Sequence, residues 1–214
     1  MKKEGLFKFL FAAAALFSVL AVVVISLFLF ASAFPTIKEI GPINFLFGKI
    51  WKPSNDIYGI FPMIVGSVYV TGISILIGVP LGLFTALYMT YFAPKRLYRV
   101  MKHAVELLAG IPSIVYGFFG LMVLVPLFRS IFGSGKSIMT ASVLLSFMIL
   151  PTIITVSESS LRALDNSLLE GALALGDTKE KAVFRVMVPA ASSGILSSVI
   201  LGVGRSIGET MAVV

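Results

Sequence analysis

Cysteine is absent from this 214-residue chain, histidine and tryptophan occur once each, and acidic residues number only ten. Without cysteine there is no disulfide framework and no thiolate metal site. The single histidine, His103, lies in a basic segment and reads as solvated. No aspartate interrupts the long apolar stretches. A membrane-embedded enzyme, such as a lipid phosphatase or an intramembrane protease, would need a convergent acid, base or nucleophile set there. The sequence offers none. Internal repeats and low-complexity tracts are also missing.

Apolar surface is what the chain has in excess. Hydrophobic residues make up 58% and charged residues 13%, and the mean hydropathy is +1.03. Soluble domains run near 45–50% apolar and about 25% charged. A spanning helix needs about 20 apolar residues. Five uncharged stretches meet or approach that length: Phe9–Phe34, Ile57–Pro94, Leu107–Phe128, Ser137–Ser157 and Val186–Gly204. Their length, without period-2 alternation, points to helices. The first stretch is about twice the length of a signal-peptide core, so it reads as a retained span.

The fold class expected is an all-α integral membrane protein with about five transmembrane helices. They are placed at about 8–33, 62–92, 105–128, 138–158 and from Ala190 to Val214. Residues 94–103 are taken as a short basic loop. Gly78 and Gly82 flank Pro80, where a kink and a close helix approach are expected. Residues 1–60 form one unit, a helix and an outside loop. Residues 61–214 form the second.

A net charge of +7 would suggest nucleic acid in a soluble protein. Here it reads as topology. With the N-terminus inside, the inner segments carry Lys2, Lys3, Lys8, Lys95, Arg96, Arg99, Lys102, Arg162, Lys179, Lys181 and Arg185. The outer segments carry only Lys38, Lys49, Lys52, Arg129 and Lys136. Cytoplasmic loops carry such an excess.

Gly133-Ser134-Gly135-Lys136-Ser137 has the look of a phosphate loop. Position 130 is serine where the pattern needs glycine, and no strand precedes it. It reads as a flexible turn.

The one substantial polar region is Glu158–Arg185. Ser167–Glu170 and Asp177–Glu180 each fit a capping box, and Gly176 suits the end of the first short helix. A helix–glycine–helix knob with an apolar face of Leu168, Leu169, Leu173 and Leu175 could seat in a partner's groove. An ordinary connection between spans fits the local chemistry equally. Arg205 and Glu209 stand four apart in the last stretch, hence on one helical face. They suit either an anion pathway or a structural ion pair. Gly204 and Gly208 beside them would let another helix approach. Ser113, after Pro112, suits either a polar path or a plain kink.

Glu170-Gly171-Ala172, three residues, Gly176, nine residues and Val186-Met187-Val188-Pro189 together resemble the EAA loop of ABC importer permeases. The spacing matches throughout, with Gly171, Val186 and Val188 as conservative departures. Gly110–Gly117 and Gly202–Val213 resemble segments of the phosphate-specific permeases. Gly-Glu-Thr-Met-Ala-Val is similar to the PstC-type ending and unlike the Gly-Glu-Thr-Ala-Pro of the PstA type. The resemblance covers about residues 1–214. It implies a MetI-like fold with cytoplasmic coupling helices in a loop at 158–190, and a further helix past Val214. It implies a multi-pass subunit in a bacterial or archaeal inner membrane, importing inorganic phosphate. Glu170, Gly171, Ala172, Gly176 and Pro189 would couple to an ATPase. Arg205, Glu209 and Ser113 would lie on the substrate pathway. Partners would be a PstA-type permease subunit, a cytoplasmic ATPase dimer and an external phosphate-binding protein. ATP would bind the ATPase, this chain itself holding no cofactor or metal and catalysing nothing. The alternatives are a permease for sulfate, molybdate or tungstate, and a non-transporting membrane scaffold.

Overall fold

Long apolar runs leave backbone groups no partner but their own helix, and the computed structural model is built accordingly. It describes residues 2–209, with the side chains of residues 2–4 and 6 left aside. Two compact units divide the chain, Met1–Val65 and Gly66–Val214.

In the first unit, α1 runs over Lys2–Ile40. It is longer than the expected 8–33 and passes through Pro35, as spanning helices can when neighbouring groups satisfy the freed carbonyl. Its apolar side chains are exposed along its length, Phe17 and Phe30 among them. The short α2 (Pro42–Phe47) follows. The expected loop then holds a small antiparallel hairpin, β1 (Trp51–Lys52) and β2 (Ile57–Tyr58), pairing Trp51 with Tyr58. Their rings meet edge-on at 5.7 Å.

The remaining helices are α3 (Phe61–Leu87), α4 (Lys95–Gly110), α5 (Ser113–Phe119), α6 (Val125–Phe132), α7 (Ile138–Arg162), α8 (Asn166–Ala174), α9 (Lys179–Ala182), α10 (Val188–Ala190) and α11 (Ser192–Gly208). One wide π-turn extends α3 through Tyr88–Phe92, and others join α5 to α6 and α9 to α10. Among the described residues, four helices are long and apolar enough to cross a bilayer: Phe7–Ile40, Phe61–Phe92, Ser113–Phe132 and Ile138–Arg162. The pair Lys179–Ala190 and Ser192–Gly208, bent by 72°, is long and apolar enough only when taken together, and counted as one span it makes a fifth.

Two boundaries differ from the sequence expectation. The supposed loop at 94–103 is the start of α4, launched from Pro94 and rich in strong helix formers. The supposed continuous helix over 105–128 breaks at Ile111, which is extended at ψ 125° ahead of Pro112. A residue preceding proline is driven out of the α region by the ring's Cδ.

Helix α7 is the centre of the second unit. Glycines on its neighbours let backbones approach it. A Cβ on Gly82 of α3 would stand 2.7 Å from Ile153 Cγ2, and one on Gly202 of α11 3.3 Å from Ile153. A Cβ on Gly120 would meet Leu144 at 2.9 Å. The expected close approach at Gly78 and Gly82 is therefore realised against α7. Buried hydroxyls also pair between helices: Ser157 of α7 with Ser198 of α11 at 2.9 Å, and Ser74 of α3 with Ser206 of α11 at 3.0 Å. Such interhelical bonds contribute about 0.6 kcal/mol each. Among the described residues no buried polar side-chain atom lacks a partner.

Gly133 ends α6 in the left-handed conformation at φ 75°, and Ser137 caps α7 by accepting from the Thr140 N–H. The Gly133–Ser137 segment is thus a helix-to-helix turn.

Candidate functional site: a helix–glycine–helix knob, a buried carboxylate and an arginine in the last apolar helix

The knob forms from local signals. Asp165 caps α8 by accepting from the Ser167 N–H at 2.9 Å. At the other end Gly176 adopts φ 92°. Its N–H donates to Leu173 O, and the Asp177 N–H donates to Ala172 O. This double closure satisfies the last carbonyls and requires a residue tolerant of positive φ. Thr178 then caps α9, accepting from the Lys181 N–H. Neither capping box takes the expected form. Asp165 displaces Ser167 as the first cap, and Thr178 displaces Asp177 as the second. In each case a competent acceptor oxygen sits one or two residues from the predicted one.

The knob rests on the ends of the spans. Val183 and Ala191 bury against Ala86 and Leu87 of α3 and Leu161 of α7, with Leu169 packed alongside. Lys179 donates to the Tyr91 carbonyl and sits 5.2 Å over the Phe92 ring. Ala172 is buried, whereas Glu170, Gly171, Gly176 and Pro189 are exposed. Leu168, Leu173 and Leu175 also face outward, Leu175 at 90% exposure. Of the four leucines expected to form one apolar face, Leu169 alone turns inward. The outer three remain uncovered.

Beside the knob lies a group the sequence reading missed. Helix α7 continues past 158 to Arg162, so Glu158 sits in its last turn, with its side chain 2% exposed. A carboxylate there opposes the helix dipole and is costly to bury unpaired. Three donors converge on it: Tyr98 Oη at 2.7 Å, Lys102 Nζ at 2.7 Å and Arg162 Nε at 2.9 Å. The Arg162 guanidinium also lies 4.4 Å over the Tyr98 ring. The hydrogen bond to Glu158 holds the Lys102 ammonium above its usual range, against the opposing effect of burial. The same partner raises the Tyr98 phenol, reinforced by burial. The group pins α4 to the end of α7. The available signal was the Glu158–Arg162 spacing of four at the end of a span.

The last span carries Arg205, half-buried, whose Nη1 donates to Thr152 Oγ1 of α7 at 3.2 Å. The expected pairing with Glu209 does not form. Helix α11 ends at Gly208, and Glu209 is extended at ψ 119°. The i, i+4 geometry needs both residues on one helix, and here the helix stops short. The ion pairs among the described residues are Lys102–Glu158, Arg162–Glu158 and His103–Glu106, so Arg205 has no carboxylate. A Cβ on Gly204 or Gly208 would meet nothing within 4 Å among the described residues, while Gly202 is the glycine that packs on α7. Ser113 is half-exposed at the start of α5, without a side-chain hydrogen bond among the described residues. The helix predicted to run on to Val214, with Thr210–Val213 of the quoted motif, lies beyond the described residues. A cavity of about 510 Å³ opens between Val70 of α3, Phe118 and Leu121, and Leu144 of α7, with Lys136 at its rim. It includes neither Arg205 nor Ser113.

Residues 78–214 match the family described as binding-protein-dependent transport system inner membrane component. The chain is 42% identical, over 94% of its length, to the probable ABC transporter permease protein YqgH of Bacillus subtilis, of which it spans 67%. It is 37% identical, over 98% of its length, to the phosphate transport system permease protein PstC of Haemophilus influenzae, of which it spans 73%. In fold it is similar to a chain of the inward-facing MetNI methionine ABC transporter, with a TM-score of 0.63, 22% identity and 74% of each chain covered.

Proposed function

The chain belongs to the family of binding-protein-dependent transport inner membrane components, a multi-pass transporter subunit of MetI-like fold, and from that premise we propose that it forms the translocation path of an ATP-driven importer of inorganic phosphate. The observation that carries the substrate class is Arg205. A guanidinium held in a span by one neutral hydroxyl, with no carboxylate partner, is costly unless an anion or a partner chain meets it. Its planar fork suits an oxyanion. The likeness to phosphate permeases favours phosphate among the oxyanions.

In this reading the N-terminus and the knob face the cytoplasm. The outward leucines of α8 and the exposed Glu170, Gly171 and Pro189 meet a groove on an ATPase dimer. Ala172 buries the knob against the spans, so that motion of the ATPases is passed to α3 and α7 through the Leu87–Leu161–Val183 core. The open side of α11 at Gly204 and Gly208 accepts a second permease subunit of the PstA type. An external binding protein delivers phosphate, and alternating access follows from rocking of the two subunits. Arg205 draws the anion inward, and Ser113 and Glu209 border its route. ATP is bound and hydrolysed in the partner.

The test is phosphate uptake by Arg205 variants, normalised to assembled complex in membranes. Arg205→Lys keeps the charge and is expected to retain part of the transport; Arg205→Gln is expected to lose most. Arg205→Gln with Glu209→Gln is expected to assemble and remain inactive. Near wild-type uptake by that double variant would remove Arg205 from the pathway.

A further inference from the structure

Helix α4 presents three faces, and only one of them is covered. Sixteen residues make it about 24 Å long at 1.5 Å per residue. Tyr98, Met101, Lys102 and Val105 recur at helical spacing on the face turned toward α7, where Val105 packs against Met89 and Ile154. A second face carries Leu97, Val100, Ala104 and Leu107, all exposed, with Leu107 at 74% and Val100 at 65%. The third carries Lys95, Arg96, Arg99 and His103, also exposed, with one carboxylate, Glu106, paired to His103 at 3.5 Å, so its balance stays positive. At 100° per residue these three sets occupy separate arcs of the helix. The Glu158 group fixes the rotation, because Lys102 and Tyr98 can reach it only with the basic arc turned away.

The helix joins two candidate spans, the one ending at Phe92 and the one starting at Ser113. It therefore lies where the chain turns back at a membrane surface. An uncovered apolar arc beside a basic arc is the pattern of a helix lying in the headgroup layer. The apolar arc reaches the acyl chains, and the basic arc lies level with the phosphates. The positive charge on that arc is complementary to an anionic headgroup. We propose that α4 is an anionic-phospholipid binding surface, in which Lys95, Arg96 and Arg99 engage lipid phosphate while Leu97, Val100 and Leu107 insert among the chains. The inference rests on the chain spanning a membrane and not on which anion it transports. Its consequence is that lipid charge bears on the position of α4, and through Glu158 on the end of α7 beside the knob.

The test uses the full chain extracted from vesicles of equal phosphatidylglycerol and phosphatidylcholine, with the co-purified lipid quantified. Wild-type protein is expected to enrich phosphatidylglycerol, by roughly fivefold for each engaged cation. Lys95→Gln/Arg96→Gln/Arg99→Gln is expected to abolish the enrichment. Lys49→Gln/Lys52→Gln/Lys136→Gln, with the same charge change elsewhere, is expected to keep it. Arg96→Lys/Arg99→Lys, milder and charge-conserving, should enrich as wild type does, which holds even if the triple variant folds poorly. Equal enrichment in the two triple variants would overturn the proposal. So would release of the lipid by millimolar inorganic phosphate, which would mean a free-anion site. Wild-type enrichment in the α4 triple variant with loss of ATPase association would mark the face as a protein contact instead.

Discussion

Glu158→Gln changes one atom and one charge at the point where α4 meets α7. In the native group Oε1 accepts from Tyr98 and Arg162, and Oε2 accepts from Lys102. Glutamine retains one acceptor oxygen, which can keep Tyr98 and Arg162. Its amide nitrogen then faces the Lys102 ammonium, donor against donor. Losing a hydrogen bond to a charged group costs about 1.5–3 kcal/mol. Two effects reduce this. Arg162 is 46% exposed and Lys102 26%, so both cations recover some hydration. Removing a negative charge from the last turn of α7 also returns about 0.3–1 kcal/mol. The net expectation is a loss of about 1–2 kcal/mol, concentrated in the docking of α4. Lys102→Met leaves Glu158 with two donors and is expected to cost about 1 kcal/mol. The double variant removes the donor–donor clash, so it should be less destabilised than the sum by about 1 kcal/mol. Thermal unfolding in detergent reads the totals. Hydrogen exchange of α4 amides reads the location, with exchange about tenfold faster for each 1.4 kcal/mol. Glu158→Gln within about 0.5 kcal/mol of wild type, with α4 exchange unchanged, would refute the reasoning.

The same group sets a pH dependence. Lys102 and Tyr98 both have raised pKa values when folded. Their contribution is therefore complete below their unfolded values and lost as pH rises through the folded ones. Stability measured from pH 9 upward is expected to fall more steeply in wild type than in Lys102→Met. Asp165 behaves oppositely, because backbone donation from Ser167 lowers its pKa. Its capping contribution is present above the ordinary carboxylate pKa and lost as pH falls through the depressed value, and Asp165→Ala should flatten that acid limb. Gly176→Val forces a β-branched residue to φ 92°, at a cost of about 1–3 kcal/mol. Uptake per assembled complex should fall while membrane insertion persists; wild-type uptake and ATPase association together would return the knob to a plain connector.

The spans were legible because an apolar run long enough to cross a bilayer has few other uses. Gly78 and Gly82 are readable as contact points, and Ile149 and Ile153 of α7 are what they respectively contact. Gly176 was readable because a helix–helix corner needs a positive φ. Helix α4 was missed because its cations were read only as a topology signal; their period, with Tyr98, Met101 and Val105 between them, was the stronger information. The Glu158 group joins residues up to 64 positions apart, and only the Glu158–Arg162 spacing is local. The Arg205–Glu209 spacing does not make a pair. Their spacing presumes a helix that continues, and α11 stops at Gly208. The caps missed by a residue or two because Asp165, Ser167, Asp177 and Thr178 all carry a suitable oxygen. Local chemistry alone does not rank them.

The central claim, phosphate import through this subunit, is tested most directly by anion competition in proteoliposomes. This chain would be assembled with its second permease subunit, ATPase dimer and binding protein. Radiolabelled phosphate uptake would be followed with ATP on the knob side, with sulfate or molybdate as competitor. The account predicts ATP-dependent phosphate accumulation that excess sulfate and molybdate leave unchanged. Accumulation of sulfate or molybdate in place of phosphate, or no anion movement from a fully assembled complex, would contradict it.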